Sequence, residues 1–454
     1  MTDNDVLSQW SDINYWRRLC PYLTIGNIAV DSDGTSASTN NEDADTREKL
    51  LQLLINDGYA LIDNSICNDV NLQKNVCRGI TDMEVEHSLP ATFILLFDET
   101  WKLARESYHL LLQSDDEAKE TQQQSHKGIL HRNSSTMAFN FDMLAWYIDP
   151  KLNQAGFSPH RDRQPDSLSD LKQSFYSDGQ AKYITHWIAL ADATPENSCL
   201  YVIPKSFDPG YLQGDDMSEE EEKDTNKSDD SSINNNDQLD PLSRALNTKQ
   251  SYQNIRALPR TAGQSVIFTH RILHWGSRGN PHALNNNPRV AISFVYSDIE
   301  FEASYLSKEL FSKDSKGNWS YPSFEIRLLL VCAQLLIYYQ RFNLSISTLR
   351  ACYQYCKANS DQLDEKYKKK VMVEYVKAMK EQRDGISDCD DEDKKSDVTD
   401  TNCDREETNS DDEEALLEEM LNNSGEFEDD YDDMLHECSD HDESQPKRRK
   451  HDIE

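Results

Sequence analysis

A histidine and an aspartate stand two positions apart in this chain, shortly after a strand-like run, and they limit how the chain can fold. His160 and Asp162 follow the apolar segment Met143–Ile148. Because residues i and i+2 of an extended chain point to the same face, an imidazole nitrogen and a carboxylate oxygen can meet at one point. A third ligand would complete the two-histidine, one-carboxylate set that suits non-haem Fe(II), and His274 is the best candidate.

His270 competes with His274 for the third position. The two histidines are four positions apart and would form a zinc pair if they lay on one helix. The preceding segment, Ser265–Thr269, predicts a strand instead, and a glycine-containing turn after His274 favours this histidine. The alternative to a metal site is an exposed turn in which His160 and Asp162 contact only a neighbouring arginine.

The chain is strongly acidic, with a formal net charge of -35 over 454 residues. Two low-complexity segments hold most of this charge: residues 384–454 contribute -22 and residues 214–240 contribute -9. Such segments bury too little apolar surface to offset the loss of chain entropy, so we predict that both are disordered. Their charge repels the nucleic-acid backbone, and we expect no direct nucleic-acid binding.

Cysteine usage and the ends of the chain indicate the compartment. The ten cysteines form neither metal-type pairs nor a disulfide framework. The N-terminus has no apolar core of a signal peptide, and the longest apolar run, Leu328–Tyr339, is too short to cross a bilayer. We therefore expect an intracellular protein, cytoplasmic or nuclear, that does not bind membranes. The basic run Lys447–Lys450 is either a nuclear import signal or a counter-charge for the acidic tail.

Short β-rich segments separated by Gly, Pro and Asn occupy the middle of the chain, and helical periodicity flanks them. Strands are predicted at Tyr59–Ile62, Met143–Ile148, Tyr183–Leu190, Leu200–Pro204, Ser265–Thr269 and Arg289–Tyr296. Helices are predicted between Thr46 and Gly58 and at Ala91–Leu112, Phe324–Phe342, Ile346–Lys357 and Gln362–Arg383. The pattern favours a mainly β fold with flanking helices, of the sandwich or jelly-roll type.

These segments predict four parts of the chain. They are an N-terminal arm and linker at 1–45, a jelly-roll domain at 46–320 with a disordered acidic insertion at 214–250, a helical annex at 321–384, and a disordered acidic tail with a basic cluster at 385–454. Because strands resume after the insertion, we place it in a loop outside the core.

Four segments together resemble the phytanoyl-CoA dioxygenase family of Fe(II)- and 2-oxoglutarate-dependent oxygenases. In chain order they are Gly58–Ile62, His160-Arg161-Asp162, Trp187–Ser206 and Ala262–Tyr296. The resemblance covers roughly residues 47–300, and Trp187–Ser206 is its most specific part. It implies a double-stranded β-helix, a cupin-like jelly roll, with iron inside one mouth.

The resemblance also implies the roles of single residues. The two histidines and the aspartate match the three iron ligands. Arg289 matches the arginine that holds the distal carboxylate of 2-oxoglutarate, and its planar fork of donors suits bidentate binding. Trp187 matches an aromatic position near this cosubstrate, and Ser277 a small polar position beside the third ligand.

The chain departs from the family pattern at two places. Trp275 stands directly after the third histidine, where the family has a small residue, and we expect it to narrow the pocket. Gly279–Asn287 looks like an inserted turn, which makes Arg278 a competitor for 2-oxoglutarate. Arg289 is preferred because it heads a strand-like run.

The resemblance implies a hydroxylase that consumes O2 and 2-oxoglutarate at Fe(II) and releases succinate and CO2. The substrate implied is a small molecule, and its identity is not readable from the sequence. A different class of function is a jelly roll that has lost turnover and whose acidic segments bind a basic protein partner. The intact ligand set favours the enzyme, because function depends on the site and not on the fold.

Overall fold

The computed structural model describes residues 3–26, 44–67, 69–112, 128–130, 136–163, 168–214, 241–284, 286–308, 311–313, 319–342 and 344–392. Most of the predicted acidic insertion, the acidic tail beyond Glu392 and the basic run Lys447–Lys450 lie outside these residues. The chain divides into two units, Met1–Ala378 and Met379–Glu454. The first unit holds all the described strands, and the described part of the second is helical.

The described helices are α1 Asp3–Trp10, α2 Ile13–Leu19, α3 Ala44–Asp57, α4 Val70–Glu86, α5 Asp98–Leu112, α6 Leu168–Gln173, α7 Gly210–Gln213, α8 Pro241–Ala245, α9 Phe324–Ile337, α10 Ile346–Ala358 and α11 Glu365–Glu392. The described strands are β1 Tyr59–Ile62, β2 Met137–Ile148, β3 Tyr183–Ala189, β4 Leu200–Ile203, β5 Arg256–Leu258, β6 Ser265–Thr269, β7 Leu273–Gly276, β8 Arg289–Asp298, β9 Ser312–Lys313 and β10 Trp319–Ser320. No helix in the described segments combines the length and apolar character needed to span a bilayer.

The strands pair in antiparallel sheets. The larger sheet has the order β1-β6-β3-β8-β2, and a smaller sheet has the order β5-β4-β7. Isolated bridges between Ala155 and Arg278 and between His160 and His274 place the segment after β2 along the free edge of β7. The predicted fold class, a jelly roll with flanking helices, is confirmed.

The core of the jelly roll lies between the two sheets. Val266 on β6 and Ala291 on β8 share one apolar cluster with Leu200 and Val202 on β4. The central strands β3, β6 and β8 are buried along their whole length, which indicates that helices cover the outer face of the larger sheet. Each fully buried large apolar side chain contributes about 1.5 to 3 kcal/mol to stability.

The segment predicted as one helix at Ala91–Leu112 is broken. A 3-10 helix covers Ala91–Leu96, Phe97 is extended, and α5 starts at Asp98. The Asp98 carboxylate accepts hydrogen bonds from Arg327 on α9 at 2.6 Å and from the Gly26 backbone at 2.7 Å. This buried ion pair joins the N-terminal arm, α5 and α9 at the point where the chain changes direction.

Three other helices differ from the sequence prediction. Helix α4 was not predicted, although its buried residues Leu72, Val76, Ile80 and Met83 follow a helical spacing. Helix α8 lies inside the segment 214–250 that was predicted to be disordered, because Ala245 packs against the end of β4 and the start of β7. Helix α11 also continues to Glu392, beyond its predicted end.

Candidate metal centre

The segment after β2 forms a short antiparallel ladder with β7, and this ladder positions two of the predicted ligands. The Gly276 amide donates to the Phe157 carbonyl at 3.0 Å. The His160 amide donates to the His274 carbonyl at 3.0 Å, and the His274 amide donates to the His160 carbonyl at 3.1 Å. The two histidines are therefore directly opposite each other across the ladder, with ring centroids 4.3 Å apart.

Two glycines allow this ladder to form. A Cβ at Gly156 would lie 2.6 Å from the Cα of Gly276, and a Cβ at Gly276 would lie 2.8 Å from the Cα of Gly156. Both distances are well inside van der Waals contact with backbone atoms, which cannot move away as a side chain can. Glycine at both positions is thus required for the close approach that brings the two histidines together.

His160, Asp162 and His274 present their ligand atoms to one point. Asp162 Oδ1 lies 3.8 Å from His160 Nε2 and 3.5 Å from His274 Nε2. One ligand atom from each residue lies within 4.8 Å of the others. The spacing of two residues in an extended segment therefore does place the imidazole and the carboxylate together, and the distant histidine joins them.

Backbone carbonyls hold both imidazoles with Nε2 towards this point. His160 Nδ1 lies 2.7 Å from the Ser158 carbonyl, and His274 Nδ1 lies 3.1 Å from the Ile272 carbonyl. Because a carbonyl only accepts hydrogen bonds, Nδ1 carries the proton in each ring and Nε2 keeps its lone pair. Both histidines are thus in the tautomer that a metal ligand needs.

The protonation states of the cluster also suit a metal. Burial, followed by the neighbouring His274, lowers the pKa of His160 to about 3, so this ring is neutral at ordinary pH. Burial alone would raise the pKa of Asp162, but His274, His160 and a hydrogen bond from Thr185 outweigh it and lower the pKa. Thr185 Oγ1 on β3 donates to Asp162 Oδ2 at 2.5 Å. The cluster therefore combines neutral imidazole with an ionised carboxylate.

Arg161, between the two ligands of the motif, anchors the segment from its opposite face. Its guanidinium donates to both carboxylate oxygens of Asp208 at 2.6 and 2.9 Å, and it also contacts the Arg271 carbonyl. Both side chains of this pair are buried. A bidentate buried pair of this kind fixes the backbone on either side of Arg161, and hence the direction of both ligands.

Arg289 and Arg278, the two candidates for binding 2-oxoglutarate, differ in burial and in hydrogen bonding. Arg289 is 2 % exposed, its Nη1 donates to the Ser198 carbonyl at 3.0 Å, and its Nε has no hydrogen-bond partner in the described part of the chain. Its guanidinium lies 5.8 Å from the centroid of the Trp187 ring, and burial lowers its pKa to about 10. Arg278 is exposed and donates to the Asn153 carbonyl. Of these two arginines, only Arg289 is buried with an unpartnered donor.

The remaining predicted residues lie around β7. Ser277 follows the strand and is half-buried, and its carbonyl accepts the Gly156 amide. Trp275 stacks on Tyr201 at 5.8 Å between centroids, and alternation places it on the opposite face of β7 from His274. The expectation that Trp275 narrows the pocket is therefore wrong.

His270 is not part of the cluster. It lies in the turn between β6 and β7, so the alternative of a helical zinc pair with His274 is wrong. The ring is buried, packs against Phe175 and Phe301 at tilted angles, and has its Nδ1 3.3 Å from the Tyr183 carbonyl. It is a packed core histidine.

Sequence reasoning missed Thr185 and a group of buried charged residues beside the motif. Thr185 shares a face of β3 with Trp187, which was singled out, and the alternation of that strand was a usable signal. Arg163 directly follows the motif and donates to the Asp162 carbonyl at 2.8 Å. Its partners Asp142 and Glu302 are distant in the sequence, and no local pattern indicated them.

The model of the phytanoyl-CoA dioxygenase family matches residues 92–281 of this chain. This match confirms the resemblance that the motifs indicated. The matched range contains all three residues of the cluster and ends before Arg289. A search of curated proteins gave no significant match.

Solved structures of 2-oxoglutarate-dependent enzymes show distant similarity. The epimerase SnoN, in complex with Fe3+, alpha ketoglutarate and nogalamycin RO, is 14 % identical with a TM-score of 0.32, covering 56 % of this chain and 85 % of that one. HygX from Streptomyces hygroscopicus, with nickel and 2-oxoglutarate bound, is 11 % identical with a TM-score of 0.31, covering 55 % and 85 %. The carbocyclase SnoK is 16 % identical with a TM-score of 0.30, covering 55 % and 83 %.

Proposed function

We propose that this protein, whose residues 92–281 match the phytanoyl-CoA dioxygenase family, is an Fe(II)- and 2-oxoglutarate-dependent oxygenase that hydroxylates a small molecule. The observation that carries the proposal is the convergence of His160, Asp162 and His274, whose ligand atoms lie within 4.8 Å of one another. Two imidazoles and one carboxylate form the ligand set typical of non-haem Fe(II) oxygenases.

The residues of the cluster fit a ferrous ion chemically. Each imidazole directs an unprotonated Nε2 inward, while a backbone carbonyl holds its Nδ1 proton. Asp162 keeps Oδ1 for the metal, because Oδ2 already accepts the Thr185 hydroxyl. Backbone and hydroxyl partners of this kind orient the ligands and raise metal affinity.

Arg289 fits the distal carboxylate of 2-oxoglutarate. A buried guanidinium with an unpartnered Nε is costly unless an anion completes its hydrogen bonds. No described carboxylate lies within 4.0 Å of it, so the anion must come from outside this part of the chain. Trp187 packs beside the guanidinium and restricts its orientation.

The roles of the side chains follow from this arrangement. When bound, the iron and 2-oxoglutarate supply the oxidising chemistry, with O2 as the oxidant and succinate and CO2 as products. Asp162 and the two histidines fix the position of the metal, and Arg289 fixes the orientation of the cosubstrate. The side chains of His160, Asp162 and His274 are only partly exposed, at 25 %, 18 % and 6 %, which limits the access of water and strengthens the electrostatic interactions within the cluster.

The proposal is tested by anaerobic titration of the purified full-length chain with Fe(II) and 2-oxoglutarate. We expect a visible metal-to-ligand charge-transfer band in the wild-type protein and no band in His160→Ala. Exposure to air should then release succinate from the wild-type protein alone.

His270→Ala is the matched control, because it removes a buried histidine four positions before His274 that is outside the cluster. This variant should keep the band if it folds. A wild-type protein that binds neither Fe(II) nor 2-oxoglutarate would contradict the proposal and favour a jelly roll that acts only as a binding module.

A further inference from the structure

A buried group of charged and phenolic side chains lies directly beside the metal centre. Arg163 bridges Asp142 on β2 and Glu302 after β8, at 3.6 and 3.7 Å, while its Nη1 donates to the Asp162 carbonyl at 2.8 Å. The charge of Asp162 also acts on the Asp142 carboxyl. We call this group the Arg163 cluster. It extends from Asp162 of the metal centre into the protein interior.

The helical annex forms the other side of the Arg163 cluster. Tyr338, directly after α9, donates to Asp142 at 2.8 Å. Tyr367 on α11 donates to Glu302 at 2.9 Å, and Lys366 donates to the same carboxylate at 3.0 Å. Residues at the end of α9 and at the start of α11 are thus part of the wall around the Arg163 cluster.

Both carboxylates of the Arg163 cluster already have their hydrogen-bond donors. Asp142 accepts from Tyr338 and lies 3.3 Å from the Tyr183 hydroxyl, in addition to its contact with Arg163. Glu302 accepts from a tyrosine, a lysine and the same arginine. A cationic ligand would find no carboxylate free to receive it.

The donors of the Arg163 cluster are not all used. Arg163 Nη2 and the Tyr305 hydroxyl are buried and make no hydrogen bond in the described residues, although Nη2 is also the atom that lies 3.6 Å from Asp142. The Lys370 ammonium, on the partly buried face of α11, makes no hydrogen bond or ion pair in the same residues and lies 5.9 Å from the centroid of the Tyr367 ring. Buried donors without acceptors are costly, so a ligand that supplies acceptor oxygens is favoured there.

Lys370 has no ion pair of its own in the described residues. Arg163 and Lys366 share Glu302, and Arg163 also contacts Asp142. Glu374, one helical turn beyond Lys370, pairs with Lys377 at 3.5 Å. The charges of Asp142, Glu302 and Glu374 act on the Lys370 ammonium, but none of these carboxylates lies within 4.0 Å of it. An oxyanion would supply the close partner that Lys370 lacks.

We propose that the Arg163 cluster binds an oxyanion of the substrate, a carboxylate or a phosphate ester, through Lys370, Arg163 Nη2 and the Tyr305 hydroxyl. The inference rests on the proposed function, since it assigns the substrate of the same metal centre to an anionic class. The oxyanion would hold one end of the molecule while the bond to be hydroxylated lies at the metal.

Calorimetry on the full-length protein, saturated with Ni(II) and 2-oxoglutarate, tests this inference without turnover. The probes share one alkyl chain and differ in the head group: hexanoate, hexyl phosphate, hexanamide and hexylamine. We expect one of the two anions to bind and the neutral and cationic probes to show no binding. Which anion binds more tightly identifies the head group.

Lys370→Met should weaken binding of the preferred anion by about tenfold, because a hydrogen bond to a charged group is lost. Lys368→Met is the matched control, since it removes the same charge from the same helix at an ammonium that pairs with Glu365. Tyr305→Phe, which keeps the ring and removes the hydroxyl, should also weaken binding of the anion, but less than Lys370→Met does. The lysine control should bind it like the wild-type protein.

Three results would overturn the inference: no binding of either anion, binding of hexylamine at least as tight, or an unchanged affinity in Lys370→Met. The preceding titration of Ni(II) and 2-oxoglutarate separates this failure from that of the proposed function. If the metal and cosubstrate bind and the anion preference is absent, only the assignment of the substrate class fails.

Discussion

Replacement of Thr185 by valine removes one hydrogen bond from the metal centre and little else. Valine has nearly the same shape and suits a strand, so β3 should keep its pairing with β6 and β8. The substitution deletes the donor that lies 2.5 Å from Asp162 Oδ2. That carboxylate is then free to rotate and loses the hydrogen bond that helps to lower its pKa.

The expected effect is a loss of Fe(II) affinity of about ten- to a hundredfold, the range for partners that orient metal ligands. The pKa of Asp162 should rise in the variant, so protons compete with the metal at higher pH. The wild-type protein should keep its Fe(II) affinity at a lower pH than the variant does, because its Asp162 stays ionised there. The loss in Thr185→Val should therefore grow as the pH is lowered.

Anaerobic calorimetry with Fe(II) at several pH values measures both effects. Thr269→Val is the matched control, since Thr269 is also a buried strand threonine and its hydroxyl bonds to Tyr211 at 2.8 Å. The control should lose some stability and keep its Fe(II) affinity. Equal Fe(II) affinity in Thr185→Val and the wild-type protein would refute this account of how Asp162 is held.

Two further predictions concern the cosubstrate and the core. Arg289→Met should raise the Kd for 2-oxoglutarate by about thirtyfold, because a charge-assisted pair is lost, whereas Arg278→Met should leave it unchanged in the same calorimetric titration. A raised Kd in Arg278→Met with an unchanged Kd in Arg289→Met would instead identify Arg278 as the residue that binds 2-oxoglutarate. Burial lowers the pKa of His186 to about 3, from an ordinary value of 6.5, so between these values the unfolded chain binds a proton that the folded protein does not. The contribution of neutral His186 to the free energy of unfolding should be fully present above pH 6.5. Below pH 6.5 it should fall by at most about 1.4 kcal/mol per pH unit. Urea denaturation of His186→Gln should show a shallower pH dependence than the wild-type protein, and an unchanged slope would contradict the assignment.

Much of the fold was predictable because its signals are local. Strands β1, β3, β4, β6 and β8 are short apolar runs with clear turn residues at their ends. Helix α4 was missed, since its apolar positions lie among many polar ones. The break at Phe97 could not be predicted, because it depends on the pairing of Asp98 with a helix more than two hundred residues later.

The candidate metal ligands were predictable for a similar reason. His160 and Asp162 form a local motif, and a histidine in the later strand region was the natural third ligand. The choice between Arg278 and Arg289 needed burial, which the sequence does not contain. The Arg163 cluster could not be predicted from the sequence, since its carboxylates and donors come from β2, the segment after β8 and α11 and meet only in the folded chain.

The central claim is that His160, Asp162 and His274 hold one metal ion together. The most direct measurement is anomalous diffraction from crystals of the protein grown with Fe(II) or Ni(II) and 2-oxoglutarate. We expect one strong peak within about 2.0 to 2.2 Å of both Nε2 atoms and of Asp162 Oδ1. A peak beside His270 or at the protein surface, with none among these three residues, would contradict the claim.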